Sequence, residues 1–172
     1  MPFVNRFPLL FAGVSGCGKS TLGEAWAQRC GAPFIEGDQY HSPESVAKMS
    51  AGIPLDDADR AGWLDRLAVA ARSQPAAPAP APVLACSALK RSYREHLRAG
   101  IPGLRIALLN VSRELAMERV AHRSGHYMPV TLVDSQFKTL ELPQHEPHTL
   151  LLDGSRSIER LLEDVDEWLA AQ

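Results

Sequence analysis

Residues 13–20 read GVSGCGKS and follow directly on the apolar run FPLLFA at residues 7–12. They match the pattern G-x-x-x-x-G-K-[ST] in full, and a segment with helical spacing comes next. Glycines let successive backbone N–H groups of such a loop point inward at an anion, and the following helix adds its positive N-terminal end. This strand–loop–helix context predicts a phosphate-binding loop, called the P-loop below, and not an ordinary glycine-rich turn.

The P-loop predicts a nucleotide site with Mg²⁺. Lys19 is expected to reach the β- and γ-phosphates, Ser20 to place its hydroxyl on Mg²⁺, and Thr21 to contact the α-phosphate. Cys17 lies inside the loop, where only its backbone is expected to matter. The predicted cofactor-binding residues of this segment are Gly13, Val14, Ser15, Gly16, Cys17, Gly18, Lys19, Ser20 and Thr21.

The remaining hydrophobic pattern predicts an α/β fold, a three-layer P-loop NTPase sandwich around a five-stranded parallel sheet. Short apolar runs without alternation are typical of buried parallel strands, and they lie at 7–12, 33–35, 83–86, 104–109 and 149–152. Helical spacing between them is found at 19–29, 43–50, 57–73, 89–99, 113–123, 130–141 and about 156–170.

Length and composition indicate one domain over residues 1–172. The 18 basic residues against 20 acidic ones give no basic field, so nucleic acid is not expected as a partner. No apolar stretch approaches the roughly 20 residues of a membrane span, and three cysteines without a CxxC pair favour a reduced, cytoplasmic protein. The proline- and alanine-rich segment 74–82 (QPAAPAPAP) is interpreted as an extended surface spacer within the domain.

Residues outside the P-loop indicate which class of P-loop protein this chain belongs to. A GTPase needs an Asn-Lys-x-Asp motif, and neither Asn5 nor Asn110 is followed by Lys. A motor ATPase needs an acid after the third strand, where this chain has Ser87. Asp38 instead follows the second strand, at the sheet edge that carries functional groups, where it can deprotonate an attacking hydroxyl and hold a water on Mg²⁺. The alternative is that Asp38 caps the helix that begins near Pro43.

Three further stretches resemble the gluconokinase family: residues 36–64, residues 86–94 (CSALKRSYR), and residues 123–137 at RSGHYMP and SQF. Shikimate kinases would show a glycine triplet where this chain has CSALK. The resemblance implies a fold related to nucleoside monophosphate kinases with a helical lid, transfer from ATP to the 6-hydroxyl of D-gluconate, and often a homodimer. Ser45, Gly62 and Val111 depart from the usual family residues and affect local loop geometry.

The resemblance implies that Arg60 binds the acid substrate; a surface ion pair with a nearby Asp is the alternative. His41 and Lys48 are seven residues apart, which predicts one shared helix face toward the sugar-acid pocket. The residues that open the helix after the third strand are also expected near substrate, although a solvated basic face is the alternative for Arg91 or Arg94. These residues are Ser87, Lys90, Arg91 and Arg94.

A lid is predicted over about residues 119–135. Arg119 and Arg123 lie four apart on one helix face, before a joint that leads into a new helix. Lid closure would bring these cations to the phosphates, with Arg123 as the first choice for stabilising the transition state and Arg119 as the second. His126 and Gln136 are predicted substrate contacts. A kinase of another acid such as shikimate, or a non-catalytic ATP sensor, are the alternative functions.

Overall fold

The computed structural model describes residues 4–123 and 129–172. Strands and helices alternate along the chain, and their bounds lie within a few residues of the predicted ones. The elements are β1 (Leu9–Ala12), α1 (Lys19–Cys30), β2 (Phe34–Glu36), a 3₁₀ turn (Gly37–Tyr40), α2 (Pro43–Ser50), α3 (Asp57–Arg72), β3 (Val83–Ala85), α4 (Arg91–Gly100), β4 (Arg105–Asn110), α5 (Arg113–Ala121), α6 (Val130–Thr139), β5 (Thr149–Asp153) and α7 (Ile158–Ala170).

The five strands form one parallel sheet in the order β2-β3-β1-β4-β5, which confirms the predicted five-stranded α/β fold. β1 lies in the centre, where Leu10 pairs with Leu84 of β3 on one side and with Ile106 of β4 on the other. Because every strand runs in the same direction, the loops after β1, β2 and β3 meet at one edge of the sheet. This edge carries the P-loop and Asp38.

Helices cover both faces of the sheet. Leu9 and Phe11 pack in one core cluster with Trp26 of α1, and residues of α7 belong to the same cluster. Leu10 points to the opposite face and packs with Trp63 of α3 in a second cluster, to which α4 also contributes. The alternation of successive side chains along β1 therefore supports two cores, which gives the predicted three layers.

Segment 74–82 is exposed at residues 75–78, in agreement with a surface position, but it is not extended throughout. The backbone N–H of Ala79 donates to the carbonyl of Ala76, so the chain makes a turn there. Asn5 holds the end of the segment, since its side-chain amide donates to Ala81 O at 2.9 Å and Ala81 N donates to Asn5 O at 2.9 Å. In the described part of the chain, none of the helices has the length and apolar character needed to cross a bilayer.

Candidate active site

The P-loop follows β1 and has a backbone conformation that glycine favours. Gly13, Gly16 and Gly18 have φ angles of 140°, 81° and 95°. At Gly16 a Cβ atom would also lie 2.5 Å from the carbonyl oxygen of Ala116, so no larger residue fits without a shift of α5. The loop ends at Gly18, the N-cap of α1, so the N-terminus of that helix follows the loop directly.

Lys19 and Ser20 begin α1. Lys19 is buried, and its Nζ lies 3.4 Å from Val14 O, so its ammonium group lies over the loop. Hydroxyl and carboxylate oxygens such as those of Ser20 and Asp38 suit Mg²⁺, which takes few protein ligands and completes its shell with phosphates and water. Within the described residues, no group of three His, Cys, Asp or Glu side chains could form an all-protein metal cage. The residues present fit a nucleotide-bound Mg²⁺.

A cavity of about 340 Å³ lies beside the P-loop and brings together residues from six parts of the chain. Of the residues predicted for substrate, five line it: Asp38, His41, Arg60, Ser87 and Gln136. Ser15 and Lys19 of the P-loop open into the same space. Its apolar wall was not predicted from the sequence and includes Val46, Met49, Leu55, Trp63, Leu89 and Leu132. We call this space the sugar-acid cavity, after the ligand that the resemblance implies for these residues.

Asp38 lies in the 3₁₀ turn after β2. It does not cap the next helix, because the N-cap of α2 is Ser42, whose hydroxyl accepts from the backbone N–H of Ser45 at 3.1 Å. Among the described residues, Asp38 takes part in no ion pair. Its carboxylate is thus available to accept a proton or a hydrogen bond from a hydroxyl in the cavity.

Trp63 of α3 holds the segment around Asp38. Its Nε1 donates to Gly37 O at 2.8 Å, and its ring stacks on His41 with centroids 4.2 Å apart. Burial lowers the pKa of His41 below its usual value, although the Asp38 carboxylate opposes this, so the imidazole is neutral at pH 7. His41 Nδ1 is buried without a protein partner in the described residues. A neutral ring of this kind suits a substrate hydroxyl.

Arg60 has no acidic partner in the described part of the chain, so the surface ion pair considered for it does not form. Its Nη1 donates to the hydroxyl of Tyr93 at 3.0 Å, and its guanidinium lies 5.4 Å from the centre of the Tyr93 ring. The nearby Asp57 instead accepts from Tyr93 and from Lys90, whose Nζ is at 3.0 Å. These hydrogen bonds lower the pKa of Asp57. The Arg60 cation is therefore available to an anionic ligand.

Several predicted substrate residues lie elsewhere. Lys48 pairs with Asp59 at 2.8 Å, and it shares no helix face with His41 because α2 begins only at Pro43. Lys90 is engaged by Asp57.

The two arginines of α4 differ from one another. Arg91 is exposed and pairs with Glu95 at 2.8 Å, which agrees with the alternative that this residue lies on a solvated basic face. Arg94 is fully buried and pairs with Glu146, so it cannot reach a ligand in the sugar-acid cavity without leaving that partner.

The predicted substrate contact His126 lies outside the described residues.

A second cavity, of about 400 Å³, lies on the other side of the P-loop and contains both predicted lid arginines in its lining. Arg119 donates to Cys17 O at 3.1 Å and to Gly154 O at 2.9 Å, so it ties the P-loop to the chain after β5. Leu109 and Ile158 give this cavity an apolar wall suited to a nucleotide base. We call it the nucleotide cavity. The contribution of the residues after β5 to its lining was not predicted from the sequence.

Comparisons with known proteins agree with this geometry. A family model described as an AAA domain matches residues 9–143. The gluconokinase of Gluconobacter oxydans (strain 621H) is 42% identical over 157 residues, which cover 91% of this chain and 88% of that protein. The thermosensitive gluconokinase of Escherichia coli (strain K12) is 40% identical over 142 residues, 83% of this chain and 75% of that protein.

Solved structures of kinases also superimpose on this chain. The gluconokinase from Sinorhizobium meliloti 1021 superimposes with a TM-score of 0.86 at 42% identity and covers 98% of this chain, which spans 94% of that one. A shikimate kinase from Bacteroides thetaiotaomicron has a TM-score of 0.62 at 16% identity over 93% of this chain and 98% of that one, a likeness in fold alone.

Proposed function

The chain belongs to the gluconokinase family, and on this premise we propose that it transfers the γ-phosphoryl group of ATP to the 6-hydroxyl of D-gluconate, giving 6-phospho-D-gluconate. One observation carries the proposal. The Arg60 guanidinium and the Asp38 carboxylate, neither of them ion-paired within the described residues, line a single cavity with the P-loop lysine. A cation and a base in one cavity match a substrate that has a carboxylate at one end and a hydroxyl to phosphorylate at the other.

Each part of the cavity has a role in binding gluconate. Arg60 binds the carboxylate, because no acidic side chain of the described residues occupies its donors and the hydrogen bond to Tyr93 holds its guanidinium. The neutral His41 and the hydroxyl of Ser87 line the same cavity and bind hydroxyls of the polyol chain. Gln136 closes the cavity on the α6 side.

The chemistry follows from the residues at the P-loop end. Asp38 orients the 6-hydroxyl and takes its proton, while Lys19 and the N–H groups of the P-loop stabilise the charge of the transferring group. Ser20 and Asp38 would hold Mg²⁺, which when bound would supply neutralising charge to the phosphates. Arg123 lines the nucleotide cavity. Residues 124–128 of the predicted lid (about 119–135) lie outside the described residues; closure of this lid would add the Arg123 cation to the phosphates and exclude water.

A coupled assay of ADP release tests the reaction. The purified chain is incubated with ATP and Mg²⁺ against D-gluconate, shikimate, other sugar acids and nucleoside monophosphates. We expect a strong response to gluconate. A response to shikimate alone would assign the cavity to another acid, and binding of ATP without any turnover would favour a sensor over an enzyme.

The setting of the enzyme belongs to the same proposal. We place it in the cytoplasm as a homodimer that binds neither nucleic acid nor membrane, supported by the family resemblance, by the net charge of −2 and by three buried free cysteines. Light scattering on an eluting size-exclusion peak would give twice 18.8 kDa for a dimer. A mass of one chain would contradict the dimer and leave the reaction unaffected.

A further inference from the structure

Gln136 makes a contact with the P-loop that the proposed reaction does not use. Its Oε1 accepts a hydrogen bond of 2.7 Å from the backbone N–H of Ser15, 121 residues earlier in the chain. Because a backbone nitrogen can only donate, the group that faces it is the amide oxygen, and this defines the orientation of the side chain. One donor of the phosphate-binding loop is therefore taken by a protein side chain.

This donor lies at the end of the P-loop where the terminal phosphoryl group is transferred. Ser15 lines the sugar-acid cavity with Lys19 and Asp38, whereas Gly16 and Gly18 line the nucleotide cavity. In a kinase the γ-phosphoryl group lies between the nucleotide and the accepting hydroxyl. The Ser15 N–H thus belongs to the γ-phosphate end of the cradle, which a diphosphate does not fill.

We propose that Gln136 is a γ-phosphate latch, which holds the Ser15 N–H until an oxygen of the γ-phosphoryl group takes that donor. The identity of the ligand as ATP rests on the proposed function. One N–H makes one well-aligned hydrogen bond, so the amide oxygen and a phosphate oxygen compete for it. A primary amide also carries an –NH₂ group, and its rotation converts a competitor of the phosphate into a donor to it.

Helix α6 connects the latch with the sugar-acid cavity. Leu132 and Ser135, on the same helix, line this cavity with Gln136, and the backbone carbonyl of Gln136 accepts from Leu140 N at 2.9 Å within the helical pattern. Release of the Ser15 bond therefore changes one wall of the space that receives gluconate. ATP and gluconate are then coupled in binding, while ADP and gluconate are not.

Calorimetric titrations test the latch without turnover. ADP and the non-hydrolysable AMPPNP, each with Mg²⁺, are titrated into the wild type, Gln136→Glu and the matched variant Gln28→Glu, which changes an exposed residue of α1. A carboxylate can only accept from Ser15 and repels phosphate, so we expect Gln136→Glu to weaken AMPPNP roughly tenfold or more and ADP less than about threefold. Gln28→Glu should change neither. Equal weakening of both nucleotides, or of neither, would overturn the proposal.

A spectroscopic measurement gives an independent readout. In ¹H–¹⁵N spectra the side-chain –NH₂ pair of Gln136 is assigned by its disappearance in Gln136→Met. We expect this pair to shift with AMPPNP and Mg²⁺ but to keep its position with ADP and Mg²⁺. Equal shifts with both nucleotides refute the latch even if gluconate is phosphorylated; a selective shift supports it even if gluconate is not the substrate.

Discussion

Replacing Arg94 by Met should destabilise the fold and leave substrate affinity almost unchanged. All five N–H donors of this guanidinium have acceptors: both oxygens of Glu146 at 2.9 and 2.5 Å, and the carbonyls of Ala88, Leu89 and Glu141 at 2.9 to 3.0 Å. The two side chains are 0% and 1% exposed. Removing one member of a buried ion pair costs about 3–5 kcal/mol. Among the described residues, Glu146 would keep only its contact with Arg98 at 3.0 Å, and the three carbonyls would lose their donor.

For a chain of this length, that loss lowers Tm by about 6–20 °C. Thermal unfolding followed by circular dichroism measures it, and initial rates give KM for gluconate. Arg91→Met is the matched control, since Arg91 and its partner Glu95 are half exposed, and it should change the free energy of unfolding by less than about 0.5 kcal/mol. An Arg94 variant with wild-type Tm and a roughly tenfold higher KM for gluconate would refute a purely structural role for this arginine.

The same pair predicts a pH dependence. Burial alone would raise the pKa of Glu146, but the hydrogen bonds from Arg94 and Arg98 outweigh it and lower this pKa below its usual value. The ionised carboxylate therefore stabilises the fold above about pH 4.5, and this contribution is lost as the pH falls through the lowered pKa. The difference in stability between wild type and Arg94→Met should shrink in acid. A constant difference from pH 7 to pH 3 would contradict this account.

Three substitutions test the site. Asp38→Asn should lower kcat by about 10²–10⁴-fold with unchanged ADP affinity, and a near-normal kcat would remove Asp38 from its role. Arg60→Met should raise KM for gluconate by about 10–100-fold and KM for ATP less than about twofold, whereas equal rises would exclude a carboxylate site at Arg60. Trp63→Phe loses the 2.8 Å hydrogen bond to Gly37 O and should lower kcat roughly tenfold. The control Trp168→Phe in α7 should leave kcat unchanged. An unaltered kcat in Trp63→Phe would show that Asp38 is held without this bond.

The elements of the fold and the phosphate cradle were predictable because their signals are local. The P-loop pattern occupies eight consecutive residues, and its glycines are required by backbone angles within the same loop. Buried strands and helices likewise leave their period in neighbouring residues. Asp38 was placed at the correct sheet edge because the end of β2 is readable in the sequence and parallel strands bring their carboxyl ends together.

The roles of the remaining site residues stay predictions, and the structure shows why sequence could not rank them. Trp63 was missed because a tryptophan at helical spacing indicates a core residue. Its contacts with Gly37 and His41 join segments that are distant in the chain. The Ser15–Gln136 bond crosses 121 residues. Such pairings depend on the strand order and helix packing, which local periodicity does not encode.

Arg91 and Arg94 illustrate the division between the two sources of information. They have the same chemistry, lie three residues apart on α4, and were both predicted to face substrate. The sequence by itself determined that a basic helix follows β3 at the active-site edge. Only the tertiary structure decided that one arginine is solvated and the other is buried against Glu146, 52 residues further on, because burial and ion pairing depend on which segments fold together.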